Sequence, residues 1–186
     1  MTRFTMGAGC FWCLEAALRQ LDGITTLTCG YSGGHTSQPD YDSVCSGSTG
    51  HIEVVQVDFN AEKIEETSLL DFFFACHDPT SWDKQGADQG SQYRSVLFYE
   101  DKEQEELFIR AKQRAQQLWP QPIVTVIQAL RDFWPAEEYH QNYYAKNPNQ
   151  GYCQLVINPK LAQLRKKFAR HCLEGSPSVT KGYTDF

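Results

Sequence analysis

Ile52-Glu53-Val54-Val55-Gln56-Val57-Asp58-Phe59 is the most regular run in the chain. Its Val, Ile and Phe residues favour a pleated backbone, so the spacing predicts a strand over residues 52–59. A period of two puts Glu53 on the same face as Val55, Val57 and Phe59. Glu53 then either begins a buried apolar face, where loss of water raises its pKa, or reaches solvent at a fraying strand end. The residues alone leave both readings open.

Working outward, residues 2–9 predict a short strand that turns at Gly7 and Gly9. Leu14, Ala17, Leu18 and Leu21 then recur at helical spacing, so residues 11–21 predict an amphipathic helix. Residues 24–31 read as a second strand. Residues 32–50 show no period and carry Gly33, Gly34, Pro39 and Gly47, which predicts a long loop of the kind that usually carries function. Beyond the central strand, residues 68–76 predict a buried helix, with Ser68 and Asp71 in capping-box spacing. A polar loop follows to about Ser91, then a strand over 92–100. Asp101 is placed to cap a helix that Pro120 and Pro122 terminate. Residues 123–130 predict another strand. Phe133-Trp134-Pro135-Ala136-Glu137 reads as the opening of a short aromatic helix, and residues 147–152 as a turn.

A last helix is expected over 159–172, with Leu161, Leu164 and Phe168 inward. Arg165, Lys166, Lys167 and Arg170 read as a solvated face, with a docking role as the alternative. Residues 174–186 read as a loose polar tail. With no repeat and no linker, the whole is expected to be one α+β domain.

The 186 residues suffice for one sizeable core, and 41% hydrophobic with 22% charged is an ordinary globular composition. A net charge of −6 argues against nucleic acid or an anionic membrane as partner. No apolar run approaches the ~18 residues of a membrane span, and the first residues do not lead into a signal-peptide core. A cytoplasmic protein is the expectation. The seven cysteines, Cys10, Cys13, Cys29, Cys45, Cys76, Cys153 and Cys172, are odd in number and widely spaced. That pattern is unlike a secreted disulfide framework. Cys10 and Cys13 form a lone C-x-x-C pair, and a structural zinc site would need a second one, so no metal is expected.

Gly9-Cys10-Phe11-Trp12-Cys13-Leu14-Glu15 holds the most reactive setting. Cys10 falls at the start of the predicted helix, where unpaired N–H groups and the helix dipole favour a thiolate. The alternative is that Cys10 is simply a small buried hydrophobe.

These stretches together identify a resemblance. Gly9-Cys10-Phe11-Trp12, Gly30-Tyr31-Ser32-Gly33-Gly34, Tyr41, Val44-Cys45-Ser46-Gly47, Thr49-Gly50-His51-Ile52-Glu53-Val54, His77-Asp78-Pro79-Thr80, Asp88-Gln89-Gly90-Ser91-Gln92-Tyr93-Arg94-Ser95 and Pro135-Ala136-Glu137 occur in this order. In that order they resemble the peptide methionine sulfoxide reductase A family over roughly residues 3–155. The resemblance implies a reductase domain over 1–174 followed by a polar tail over 175–186. Its implied fold is a two-layer α/β sandwich with a ferredoxin-like core and long active-site loops. It implies an oxidoreductase that reduces the S epimer of methionine sulfoxide, free or in proteins, and so repairs oxidised proteins. By the same resemblance Cys10 is the nucleophile, and Glu53 protonates or hydrogen-bonds the sulfoxide oxygen. Tyr41 and Tyr93 donate to that oxygen, Asp88 shapes the pocket, and Phe11 and Trp12 enclose the S-methyl group. No cofactor is implied. The reductant would be thioredoxin, and the protein a monomer.

The reaction accounts for those residue types without the family. A sulfoxide sulfur becomes electrophilic once its oxygen is protonated, so the reaction needs a thiol nucleophile, a proton donor and fixed donors around the oxygen. Cys10 would become a sulfenic acid, cleared by a second thiol that closes a disulfide. The family pattern favours Cys153, in Asn147-Pro148-Asn149-Gln150-Gly151-Tyr152-Cys153, on a segment able to swing toward Cys10. Cys13, in C-x-x-C spacing, is the first alternative, and Cys172 or an external thiol the next. Cys29, Cys45 and Cys76 read as unreactive buried thiols. Two other functions compete: a thioredoxin-like dithiol oxidoreductase using Cys10 and Cys13, and a non-catalytic module that binds oxidised methionine.

Overall fold

In the computed structural model, which describes residues 2–168, β1 (Thr2–Gly7) turns through Gly9 into α1 (Phe11–Leu18). Gly9 has φ 86°, and a Cβ there would meet Gln85 at 2.7 Å, so the turn demands glycine. Next come β2 (Ile24–Ser32), α2 (Tyr41–Cys45), β3 (Ile52–Phe59) and α3 (Glu66–Ala75). The two-residue strands β4 (Lys84–Gln85) and β5 (Asp88–Gln89) form a separate hairpin. The chain continues with β6 (Val96–Tyr99), α4 (Lys102–Gln116), β7 (Val126–Ala129), β8 (Phe133–Pro135), α5 (Tyr143–Lys146) and α6 (Asn158–Lys167).

Six strands build one sheet in the order β7-β6-β1-β3-β2-β8. β6 and β7 run parallel, and the other pairings are antiparallel. β3 lies inside the sheet because both of its faces are apolar. Val55, Val57 and Phe59 join one large core with Phe4 and Met6 of β1, Leu14 and Leu18 of α1, Phe73 of α3, Phe108 of α4 and Leu161 of α6. Phe4 fixes this layer by edge-on contacts with Phe59 and Phe108, each at 5.0 Å between ring centres. Ile52 and Val54 face the other way, into a smaller cluster with Val96 and Phe98 that Val126, Leu130 and Phe133 cover. The result is a mixed α/β fold built on its sheet. Among the described residues no helix is long and apolar enough to cross a membrane.

The predicted strand over 52–59 and the Asp101-capped helix form as expected, with Asp101 accepting from the Gln104 N–H at 2.9 Å. Other stretches differ. Residues 32–50 hold α2, whose N-cap Asp40 and Ser43 exchange side-chain and backbone hydrogen bonds in a capping box. Ser68 is no cap: α3 begins at Glu66, and Asp71 instead pairs with Arg114 of α4 at 2.6 Å. The strand expected over 92–100 is shorter, since residues 91–93 make a single 3-10 turn. Phe133, Trp134 and Pro135 form a strand rather than a helix start, pairing with Ser32, Tyr31 and Gly30. Proline is tolerated there because β8 is an edge strand. The expected turn over 147–152 runs into a π-helical turn, Cys153–Ile157, that leads directly into α6. Arg170, Cys172 and the tail over 174–186 lie outside the described residues.

Gly30 permits the close approach of β8, since a Cβ on it would lie 2.5 Å from both the Trp134 carbonyl oxygen and the Phe133 ring. Gly30→Ala is therefore expected to cost about 1–3 kcal/mol, because a backbone atom cannot yield as a flexible side chain can. Gly151, whose Cβ would meet nothing within 4 Å, is helical, and Gly151→Ala should be neutral or stabilising by up to about 1 kcal/mol. Urea unfolding of both variants checks the contrast; equal midpoints would refute it.

Candidate active site

Three segments converge at the start of α1. Cys10 is its N-cap residue, and its side chain makes no capping hydrogen bond. The orphan N–H of Phe11, the first residue of the helix, donates instead to Glu53 Oε2 at 2.9 Å. Glu53 stands at the start of β3 on the α1 side of the sheet and is 1% exposed. The strand end does not fray, because Glu53 pairs with Tyr31 in the neighbouring β2. Burial drives the Glu53 carboxyl up to about 8, the Phe11 N–H opposes the rise, and the charges of Asp88 and Cys13 add to it. The carboxyl therefore carries its proton at neutral pH.

Two tyrosines face the same carboxyl. Tyr41 opens α2 and Tyr93 ends the turn before β6. Burial first, and the Glu53 charge among the lesser causes, hold both hydroxyls well above the usual tyrosine value, so both remain hydrogen-bond donors. Glu137 anchors Tyr41: its Oε1 accepts from the Tyr41 N–H and its Oε2 from the Tyr31 hydroxyl, each at 2.8 Å. His51 folds the loop that carries α2 back on itself. Its Nδ1 accepts from the Gly34 N–H at 3.1 Å, and its Nε2 lies 2.7 Å from the Thr36 carbonyl oxygen.

Phe11 and Trp12 form an aromatic wall. Trp12 stacks on Tyr143 at 3.7 Å, with the rings 5° from parallel. Its Nε1–H donates to His140 Nδ1 at 3.0 Å. That bond leaves the His140 proton on Nε2, which is buried without a hydrogen-bond partner, 3.7 Å from Glu137 Oε2. Burial holds His140 below the usual histidine value and so supports the neutral ring.

The thiols depart from the helix-dipole expectation. Burial first, then a hydrogen bond with Cys13 and the charge of Glu53, push the Cys10 thiol well up. Cys13, one turn along the same helix, goes down to about 7, chiefly because it receives that hydrogen bond from Cys10; the Lys160 charge and the Tyr152 hydroxyl assist. Between the two sulfurs, the negative charge rests on Cys13. Cys13 Sγ also lies 3.4 Å from Tyr152 Oη, which in turn donates to Asp88 Oδ2 at 2.7 Å.

Cys10, Glu53, Tyr41, Tyr93, Phe11, Trp12 and, through Tyr152, Asp88 are thus brought together. Cys153 is buried in the π-helical turn, where burial first and the Cys13 charge second raise its thiol. Cys29 and Cys76 are buried thiols, with the Cys76 S–H donating to the Phe73 carbonyl at 3.2 Å. Cys45 is only half-buried and hydrogen-bonds the Tyr41 hydroxyl. Tyr152, His140, Tyr143 and Glu137 have parts that sequence reasoning did not assign. Glu137 and Tyr152 lay in quoted stretches, Tyr152 beside a singled-out cysteine, whereas His140 and Tyr143 lay in none.

Known proteins share this arrangement of sequence and fold. The family profile described as peptide methionine sulfoxide reductase matches residues 2–172. The peptide methionine sulfoxide reductase MsrA of Pseudarthrobacter chlorophenolicus is 54% identical over 169 residues, which are 91% of this chain and 97% of that protein. The crystal structure of Mxr1 from Saccharomyces cerevisiae in reduced form is 39% identical and superposes with a TM-score of 0.78, covering 82% of this chain and 88% of that one. A structure of Mxr1 in complex with Trx2 is 30% identical, with a TM-score of 0.55 over 76% of this chain and 84% of that one. With a profile matched along nearly its whole length and relatives of this similarity, the chain belongs to the peptide methionine sulfoxide reductase family.

Proposed function

We propose that this chain reduces the S epimer of methionine sulfoxide, in peptides and as the free amino acid, with Cys10 as nucleophile and Glu53 as proton donor. Members of this family are peptide-methionine (S)-S-oxide reductases. The observation that carries the reading is a carboxyl protonated at neutral pH and bonded to the N–H of the residue next to a buried thiol. Such a pair suits a sulfoxide, whose oxygen must be protonated or strongly hydrogen-bonded while a thiol attacks the sulfur.

In the reaction Glu53 gives its proton to the sulfoxide oxygen, and Tyr41 and Tyr93 donate hydrogen bonds to it. The Cys10 sulfur attacks as its own proton passes to Cys13, the base to which it is already bonded. Oxygen leaves with Cys10 as a sulfenic acid, and methionine is released. Phe11 and Trp12 enclose the methyl group and exclude water, and Asp88 shapes the polar rim.

The second half of the cycle needs another thiol. We assign it to Cys13, which shares a hydrogen bond with Cys10 and needs the least movement to close a disulfide. Cys153, the thiol favoured by family pattern, would have to leave a fully buried position to reach Cys10 itself. Cys153 fits a later exchange with Cys13. The Mxr1 complex with Trx2 supports a thioredoxin as the reductant that reopens the disulfide. The strand order β6-β1-β3-β2, with the long helices in the core of one face, supports reading the architecture as a two-layer ferredoxin-like core.

With dabsyl-methionine sulfoxide and dithiothreitol, turnover of the S form alone is expected. Cys10→Ser should abolish it, and measurable turnover by that variant would refute the nucleophile. Glu53→Ala should lose on the order of 100-fold or more in kcat/KM, and Glu53→Gln, which keeps a hydrogen bond to the oxygen but has no proton to give, should fall between it and the parent protein. A peptide map after one turnover without reductant should link Cys10 to Cys13; a Cys10–Cys153 link would reverse the order of the two partners.

Glu53 also sets a pH dependence of stability. The fold holds its proton up to about 8, whereas the unfolded chain releases it near the ordinary value of 4.5. Between those values the unfolded state binds fewer protons, so this group's contribution to stability falls as pH rises through the window and levels off above it. Glu53→Gln cannot ionise and should lack that slope. Its Tm relative to the parent protein should rise steadily from about pH 5 to about pH 8; a constant difference would mean that the carboxyl is already ionised at the lower end.

A further inference from the structure

Tyr152 was given no part by the family resemblance, yet it holds the centre of a chain of polar groups. Its hydroxyl has one proton, and the 2.7 Å bond commits that proton to Asp88 Oδ2. At 3.4 Å from Cys13 Sγ, the same oxygen is then the acceptor for the Cys13 S–H whenever that thiol is protonated. The phenol ring is braced edge-on against Trp12, with ring centres 5.9 Å apart, so the hydroxyl does not swing freely. Cys13 thus sits between Cys10 on one side and the Tyr152–Asp88 pair on the other. Asp88 stands on the hairpin of β4 and β5 and is itself only partly buried.

We propose that Tyr152 is a further catalytic residue, acting in the disulfide-closing step: it aims the Cys13 thiol at oxidised Cys10 and conducts the Cys13 proton to Asp88 as the S–S bond forms. The proposal rests on the assignment of Cys13 as the resolving thiol. The reduction step leaves Cys10 as a sulfenic acid and Cys13 as a thiol. In closure the Cys13 sulfur attacks the Cys10 sulfur and the S–O bond breaks. The Cys13 proton moves to Tyr152 Oη as the Tyr152 proton moves to Asp88. The departing hydroxide takes a proton from Glu53, which has been recharged from water. One sulfenic acid and one thiol become one disulfide and one water, and no outside oxidant or reductant is consumed.

The same geometry serves Cys13 as a thiolate. Tyr152 can then turn its proton from Asp88 to the sulfur, which is one of the causes that bring Cys13 down to about 7. Removing the hydroxyl should therefore shift the pH dependence of closure as well as its rate. A loss of packing alone would slow closure equally at every pH.

The test mixes the full chain with one equivalent of dabsyl-methionine sulfoxide without reductant. Quenched samples are assayed for dimedone-reactive sulfenic acid at Cys10 and for the Cys10–Cys13 disulfide. Tyr152→Phe should slow closure about 10-fold near neutral pH and let the sulfenic acid accumulate. The deficit should shrink as pH rises above 9, where Cys13 ionises unaided. Asp88→Asn, which keeps the shape of the acceptor but not its affinity for a proton, should slow closure in the same sense. Closure at the parent rate in Tyr152→Phe, or a deficit of the same size at every pH, would overturn the proposal. Cys13→Ser is run beside it. If that variant still forms an intramolecular disulfide at the parent rate, the Cys13 assignment fails and the proposal falls with it. If Cys13→Ser blocks closure and Tyr152→Phe does not, the Tyr152 role alone fails.

Discussion

The hydrogen bond from the Phe11 N–H to the Glu53 carboxyl ties the molecule together. It joins the first turn of α1 to β3, which lies inside the sheet, across 42 residues of sequence. A helix start buried against a sheet has donors that water cannot reach, and a carboxyl buried at a strand end has acceptors in the same difficulty. Each answers the other. With one N–H as its bonded partner among the described contacts, the carboxyl cannot afford its charge at neutral pH, and it stays protonated. The feature that caps the helix is therefore also the feature that equips the site with an acid.

The rest of the site is arranged around that pair by elements that have little to do with one another in sequence. β2 brings Tyr31, whose hydroxyl holds Glu137, and Glu137 in turn holds the N-terminus of α2 and hence Tyr41. The hairpin of β4 and β5 supplies Asp88, and the turn after it supplies Tyr93. Arg94, paired with Asp83 at 2.6 and 2.9 Å and lying over the Trp82 ring, staples that loop at its base. Polar side chains bonded to backbone or to one another thus replace regular secondary structure in holding the loops, which suits a site that must admit a polypeptide side chain.

The two thiols show how burial and proximity outweigh the helix dipole. An N-terminal cysteine on an isolated helix would be expected to ionise easily. Here burial, the hydrogen bond that Cys10 gives to Cys13 and the neighbouring Glu53 all oppose a charge on it. Cys13 takes the charge instead, because the Cys10 S–H, the Tyr152 hydroxyl and the Lys160 ammonium all favour it. A C-x-x-C spacing puts two sulfurs within reach, but it does not say which carries the proton.

The periodic features were readable from the sequence. Residues 52–59 give the strand, and their period of two puts Glu53 on the face of Val55, Val57 and Phe59 while leaving open whether that end is covered. Cys10 at the start of α1 and Asp101 as the cap of α4 follow from local side-chain chemistry in the same way. What could not be read depends on partners far away in the chain. Phe133-Trp134-Pro135 has no intrinsic strand pattern and becomes one because Gly30 lets it lie against β2. The ionisation of Glu53 turns on whether the strand end is covered, which only the packing of α1 decides. Tyr152 gains its place through bonds to residues 64 and 139 positions earlier, and His140 through one 128 positions earlier. Local spacing determines which elements form and which residue types face inward; the proton each site group carries depends on desolvation and on donors brought from elsewhere, and those exist only once the chain has folded.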